Sequence, residues 1–478
     1  MRYSLLVTIC RMGQTLLEAA EYLRTAPQDA LREEVIRNGR QMLKQIREAL
    51  EQHRASLCSD APLARLAGIE ASWENDGPEL EPQLAQFLQG LPSQVQYQVR
   101  AVFFAELGEK WDAMQSVYEA MCQDPRFSTV VVRTPIYRAV RRNGKQMQEI
   151  LYRDFLTPMG IPSLGFEKYD IAADCPELAF ISQPYAGATI EPFWPETIAK
   201  HTRLVYLSYY LPDRVEQTTL DALAQISVYS HAWKVVCSGK KHYDFYCLHA
   251  ANKGANALVT GLPKTDPLVA PGQKTVSLPD GWKKLNGKTV FLWNSWYDPV
   301  ASSLRYFETL AEWFRAHKDC ALVWRPHPMS DTVIRLVHPD QYPAYRQMLR
   351  WAKTTENVVL DTETSYLAAF TVSHAMISDY SSLLPQYLLL DKPALWIWNG
   401  GYRFTGEEFI DSRWMEQAGS AEHLLAFLER IRNGEDRNAA LRRTVRERDL
   451  SLADGHCGER VRDAVWNALH EEDLPQLY

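Results

Sequence analysis

The densest groupings of reactive side chains in this chain of 478 residues fall in three short stretches of its C-terminal half, each directly behind an apolar run. Arg325 and His327 stand in Trp324-Arg325-Pro326-His327-Pro328, behind Ala321-Leu322-Val323-Trp324. The two prolines restrict the backbone on either side of the imidazole. Asp379, Ser381 and Ser382 stand in Ile377-Ser378-Asp379-Tyr380-Ser381-Ser382, behind Ala375-Met376-Ile377. Small hydroxyl residues opening a helix offer free N–H groups at a positive dipole end, a combination suited to phosphate. Asn294, Ser295 and Asp298 follow Thr289-Val290-Phe291-Leu292-Trp293. A diphosphate needs positive charge and oriented donors. Arg325, His327 and the Ser381/Ser382 helix start supply both without a metal.

Each stretch also has a plainer meaning. Arg-Pro-His-Pro alone describes a rigid loop with a surface histidine, and Ser378 to Ser382 alone describes a helix N-cap. Their common placement favours the functional meaning, because all three follow predicted strands and open α/β sheets bind ligands at the carboxyl ends of their strands.

The elements that must position them repeat a strand–helix alternation. Apolar runs at Val290–Trp293, 321–324, 358–360, 375–377 and 394–397 predict strands, with helices over 303–315, 342–351, 365–370 and 381–390 between them. An earlier series predicts another sheet from strands at 99–104, 129–132, 178–181, 203–207, 233–237 and 257–260 and a helix over 111–121. The stretch 263–288, with four Pro, three Gly and five Lys, is the expected linker. Residues 11 to about 57 show spacings of three and four with a break at Ala26-Pro27-Gln28-Asp29, which predicts a helical hairpin or longer. The expected fold class is therefore α/β, with a helical unit over 1–95, a first doubly wound Rossmann-like domain over 96–282 and a second over 283–478. Helices over 421–433 and 457–470 close the chain, the last free to return to the first sheet.

Composition narrows the classes. Hydrophobic residues make up 46% and charged residues 23%, and 14 Trp and 23 Tyr supply large side chains to bury, which excludes disorder as the main state. The formal net charge of −7 argues against a nucleic-acid partner. Eight scattered Cys form no CxxC pair and no zinc-type spacing, so they are expected as reduced thiols, with no metal site and no cofactor. The opening MRYSLLVTIC is too short an apolar run for a secretory signal, and no run approaches the roughly 18 apolar residues of a membrane span. A cytoplasmic protein is expected, with peripheral contact at the inner face of the membrane open to it. Basic stretches at Arg138–Lys145 and Lys240-Lys241-His242 are solvated charge by default or face an anionic acceptor or lipid. The N-terminal helices are a packing or homo-oligomerisation element.

A resemblance joins these pieces. Trp324 to Pro328, Ile377 to Ser382, Asp391-Lys392-Pro393 and the terminal Asp454-Gly455-His456-Cys457-Gly458-Glu459-Arg460-Val461 resemble the signature of the CDP-glycerol glycerophosphotransferases, the teichoic acid polymerases and primases. Gly261-Leu262-Pro263-Lys264-Thr265-Asp266 is similar to that family's Gly-x-Pro-Arg-x-Asp element, with Lys for Arg. The likeness covers roughly residues 200–465. It implies a GT-B fold and transfer of glycerol phosphate, or a related alditol phosphate, from a CDP-activated donor to a glycan or cell-surface polymer, with release of CMP. It also implies that Arg325 and His327 face the diphosphate and that Ser381 and Ser382 bind it. Asn294, Ser295 and Asp298 are placed beside the nucleotide by their position after a strand. The family's Trp-His-Gly-Thr-Pro element has no counterpart: Val205-Tyr206-Leu207-Ser208-Tyr209-Tyr210-Leu211-Pro212 carries no His. A tyrosine with a pKa of about 10 is a poor base at neutral pH, and His201 and His231 are expected as surface or core residues. Two other readings stay open at this point: a GT-B glycosyltransferase using a nucleotide sugar, and a catalytically degenerate nucleotide- or glycan-binding protein.

Overall fold

A computed structural model describes the chain except residues 26, 27, 29, 76–78, 143, 144, 213–225, 270–275, 380, 399–407 and 475–478. Four helices open it: α1 (Tyr3–Thr25), α2 (Ala30–Gln52), α3 (Ala61–Asn75) and α4 (Leu80–Gln94). Their apolar stripes meet in a core of their own, with Leu16, Leu43, Ile69, Trp73 and Phe87 buried. The apolar opening run is the first two turns of α1, with Leu6, Ile9 and Cys10 inside that core. The side chains of α1 also tie this unit to the rest of the chain. Tyr3 donates to the Leu469 carbonyl (2.9 Å), and Arg11 pairs with Asp473 (3.0 Å).

The first sheet is all parallel, built from β1 (Val99–Ala105), β2 (Phe127–Arg133), β5 (Leu164–Gly165), β6 (Leu178–Ile181), β7 (Arg203–Tyr206), β8 (Lys234–Cys237) and β9 (Ala257–Val259), in the order β5-β2-β1-β6-β7-β8-β9. Both faces are covered, as a parallel sheet requires. Along β1, Ala101 and Phe103 enter one core while Val102 and Phe104 enter another. A separate hairpin, β3 (Ile136–Arg142) and β4 (Lys145–Leu151), stands where the sequence showed only a basic stretch; the side chains of 138–149 lie outside the described residues. The other basic stretch opens a helix, Lys240–His249, in which Lys240 pairs with Asp244 (2.6 Å) and Lys241 with Asp449 (2.7 Å).

The second sheet, also all parallel, runs β12 (Val358–Leu360), β11 (Cys320–Pro326), β10 (Thr289–Ser295), β13 (Ala375–Ser378), β14 (Ala394–Ile397), β15 (Glu416–Ala418). Each sheet is filled outward from one strand in one direction and then in the other. The chain therefore leaves a topological switch point between β1 and β6 in the first sheet and between β10 and β13 in the second, the places where doubly wound sheets open a crevice.

The stretch expected as a linker begins as a buried clamp. Lys264, Thr265 and Asp266 are almost fully buried. The Asp266 carboxylate accepts the N–H groups of Cys457 (3.0 Å) and Gly458 (2.8 Å), the first turn of a closing helix over Cys457–Asp473. An anion there satisfies helix-end donors and the dipole together. That helix packs on α5 (Gly108–Cys122) of the first sheet so closely that a Cβ on Gly458 would lie 2.4 Å from the Ser116 carbonyl carbon. The Asp391-Lys392-Pro393 and Asp454–Val461 stretches thus serve the fold. Asp391 adopts a left-handed conformation and pairs with buried Arg442 (2.9 Å), and Arg460 donates to the Thr260 carbonyl (2.8 Å).

Candidate functional site

The carboxyl edge of the second sheet gathers the residues singled out in the sequence. Asn294 and Ser295 end β10, Arg325 and Pro326 end β11, and Ser378 ends β13, with Asn294 in register with both Arg325 and Ser378. The strands are held by their aromatic residues as well. Trp293 and Trp324 stack at 5.1 Å, and their indole N–H groups donate to Ser303 Oγ (2.7 Å) and Ser295 Oγ (3.3 Å).

His327 is the side chain best placed for chemistry. Its Nδ1 accepts the N–H of Met329 (3.1 Å), so the ring proton resides on Nε2. Burial lowers its pKa to about 4, and the neutral ring stands against the paired Trp296 and Tyr297 rings, with centroids 5.4 and 5.1 Å away. The backbone fixes it, since the His327 N–H donates to the Ser295 carbonyl (3.1 Å).

Arg325 is engaged within the fold. Its guanidinium is paired with the buried Asp361 carboxylate (2.7 Å) and donates to the carbonyls of Thr364 (3.1 Å) and Ser365 (3.4 Å). It therefore holds the loop behind β12. Asp379 is likewise a brace, fully buried, accepting the N–H groups of Trp296 (2.7 Å) and Ser303. Burial raises its pKa to about 6, against the pull of those donors. Ser381 is buried too, accepting from Asn294 Nδ2 (2.6 Å) and from the Leu383 N–H (3.1 Å). Because that bond makes a turn of 381–383, the expected helix over 381–390 shrinks to Leu384–Tyr387 followed by a 3₁₀ turn over Leu388–Leu390. A four-residue helix has little dipole, so any anion grip here comes from local donors such as exposed Ser382. Asp298 is half-buried, accepts the Val300 N–H (2.9 Å) and lies 3.7 Å from His338 Nε2.

The first sheet contributes an edge that the motifs did not mark. Continuing the strand register past the strand ends, by one residue beyond β2 and β1 and by two beyond β6 and β7, places Thr134, Glu106, Gln183 and Ser208 in one row. All four are buried, Glu106 with 6% of its surface exposed. Among the described residues, Glu106 Oε2, Thr134 Oγ1 and Gln183 Oε1 have no hydrogen-bond partner. Lys110 Nζ stands 3.8 Å from Glu106 Oε2 and 4.5 Å from the centre of the Tyr209 ring. Burial pushes the Glu106 carboxyl up to about 7 against the attraction of Lys110, and burial lowers Lys110 in turn. A lone Glu behind Val99–Ala105 looks ordinary in sequence; only the register aligns it with three other polar strand ends. His201 is exposed, and His231 is an exposed helix end whose Nδ1 meets the Ser227 carbonyl (2.8 Å).

The two edges are joined. The Asp112 carboxylate on α5 accepts from Tyr366 of the second sheet's loop (2.9 Å) and from Lys264 (2.7 Å). At the start of α5, a Cβ on Gly108 would lie 2.9 Å from Thr364 Cγ2, in the loop that Arg325 holds.

Two parallel doubly wound sheets meeting at their strand ends, one edge bearing a neutral imidazole in a donor-rich loop cluster, define a protein of the GT-B fold. Residues 212–467, more than half of the chain, match the model of the CDP-Glycerol:Poly(glycerophosphate) glycerophosphotransferase family, and the chain belongs to that family. It is an enzyme of the CDP-glycerol glycerophosphotransferase type. Among solved structures it is similar to the wall teichoic acid polymerase TagF, at 12% identity and a TM-score of 0.52 over 87% of this chain and 99% of that one. It is similar also to a putative UDP-N-acetylglucosamine 2-epimerase from Listeria monocytogenes, at 13% identity and a TM-score of 0.55 over 79% and 98%. A third is the S. aureus MnaA–UDP structure, at 11% and 0.51 over 79% and 98%. Identities this low show the fold alone. A search of curated proteins finds no match. Among the described residues, no helix is long and apolar enough to cross a membrane.

Proposed function

We propose that the protein moves glycerol phosphate, or a closely related alditol phosphate, from a CDP-activated donor to a hydroxyl of a glycan or cell-surface polymer. The acceptor oxygen attacks the β-phosphorus, the bond from that phosphorus to the bridging oxygen breaks, and CMP leaves with the bridging oxygen. In-line attack asks the protein to position both partners and to stabilise charge on the diphosphate. The observation that carries this reading is the state of His327: neutral, held through Nδ1, with the Nε2 proton available to a diphosphate oxygen. Asn294, Ser295 and Ser382 line the same edge beside it, while Asp379, Ser381 and Arg325 hold its loops in place. One solved structure of a TagF variant comes from a CDPG soak, and that donor is carried to this chain as part of the proposal.

Removing a single aimed donor from a transition state costs about 10²–10³ in kcat. His327→Ala should therefore lower CMP release from CDP-glycerol by about that factor while the urea unfolding midpoint stays unchanged. Undiminished CMP release in a folded His327→Ala protein overturns the role.

A further inference from the structure

We propose that Glu106 is the proton acceptor for the attacking hydroxyl, on an acceptor ledge formed by Thr134, Glu106, Gln183 and Ser208 at the carboxyl edge of the first sheet. The inference rests on the transferase reading above and supplies the base that the missing histidine leaves open.

Position is the first support. Glu106 and Gln183 follow the ends of the strands that flank the switch point of the first sheet, where the crevice of a doubly wound sheet opens. The second support is the state of the polar atoms. Buried oxygens are nearly always hydrogen-bonded, yet three neighbours in this row have no hydrogen-bond partner among the described residues. A hydroxyl-rich chain laid along the row offers each of them a donor. The third is the contact across the cleft. Glu106 is two residues before Gly108, which abuts Thr364, and Thr364 belongs to the loop held by Arg325, the neighbour of His327. Ledge and imidazole therefore border the same cleft from opposite sheets.

The chemistry balances with the groups at hand. The acceptor O–H gives its proton to the Glu106 carboxylate, its oxygen forms the new bond to the β-phosphorus, CMP departs, and the proton returns to solvent from Glu106. The charged group that acts on the carboxyl is Lys110 on α5, itself beside Glu109, and the Glu106 charge is felt in turn by Tyr209 beyond β7. A carboxyl raised to about 7 gains its basic form as pH climbs through neutrality, so activity rises with it.

The test uses the full chain, CDP-glycerol and a synthetic glycerol phosphate oligomer as acceptor probe. In Glu106→Gln, kcat for CMP release should fall about 10²–10⁴-fold, the KM for CDP-glycerol should stay within about threefold, and the acidic limb near pH 7 should vanish from the kcat profile. A kcat within a few-fold of wild type, or an unchanged acidic limb, overturns the proposal. The two readings fail separately, because loss of CDP-glycerol binding by the wild type would sink the transferase reading instead. If the wild type binds CDP-glycerol but does not turn over with this probe, oligomer binding decides. The oligomer should raise the melting temperature of the donor-bound wild type and should do so much less in Gln183→Ala; equal shifts in the two proteins overturn the ledge.

Discussion

Arg325 and His327 are two residues apart at the end of β11 and face different tasks. Among the described residues the imidazole Nε2 has no hydrogen-bond partner, whereas the guanidinium bonds to Asp361 and to two loop carbonyls. Asp361 has no exposed side-chain surface, so removing its partner leaves a buried charge unpaired. Breaking such a pair costs about 3–5 kcal/mol. Arg325→Met should therefore lose about that much stability in urea unfolding. The double variant Arg325→Met/Asp361→Asn should recover most of it, because the amide oxygen can still accept the Glu363 N–H that Asp361 Oδ1 now takes (2.9 Å). A fully stable Arg325→Met protein that no longer binds CDP-glycerol would instead place the guanidinium on the diphosphate. Sequence alone cannot make this distinction, since both residues occupy one motif. What separates them is Asp361, brought beside Arg325 by the pairing of β11 with β12.

Among the elements, the closing helix depends most on one contact. Gly458 meets the Ser116 backbone, and a Cβ there would stand 2.4 Å from the carbonyl carbon and 2.6 Å from its oxygen. Backbone cannot rotate aside as a side chain can, so Gly458→Ala must shift the helix at a cost of about 1–3 kcal/mol. Gly68, inside α3, has nothing within 4 Å of its Cβ position. Gly68→Ala should then raise stability by about 0.5–1 kcal/mol through helix propensity. Urea midpoints moving in opposite directions for the two substitutions would bear this out. The elements differ in how legible they were. Strands such as Val290–Trp293 announce themselves because both faces of a parallel sheet are buried and the run is apolar throughout. Glu416–Ala418 does not, because β15 is a three-residue strand that, among the described residues, pairs with β14 alone. Lys264-Thr265-Asp266 looked like linker because its composition is polar, and its burial follows from Asp266 reaching a helix end 191 residues away. The ledge of Thr134, Glu106, Gln183 and Ser208 was illegible for the same reason: it exists only in the register of four strands that are distant in sequence.

At the scale of the whole molecule, Asp112 ties the two sheets together. Its carboxylate receives Tyr366 from the second sheet's loop and Lys264 from the segment between the sheets, and Lys264 is only 3% exposed. The helix that carries Asp112 begins two residues after Glu106, and the loop that carries Tyr366 is the one Arg325 holds. Donor grip and acceptor ledge are thereby coupled through one side chain. Asp112→Ala leaves a buried ammonium without its anion, and a loss of about 3–5 kcal/mol is expected. The consequence is local before it is global, because the bond breaks at a junction and not inside a core. Hydrogen exchange should accelerate together at the start of α5 and over 361–372, with the strands of both sheets still protected. Under conditions where the variant remains folded, kcat should fall with KM for CDP-glycerol nearly unchanged, since His327 and its loop partners stay in place while the acceptor side loses its register to them. Accelerated exchange confined to one of the two segments, or a rise in KM alone, would mean that Asp112 supports only one edge of the cleft.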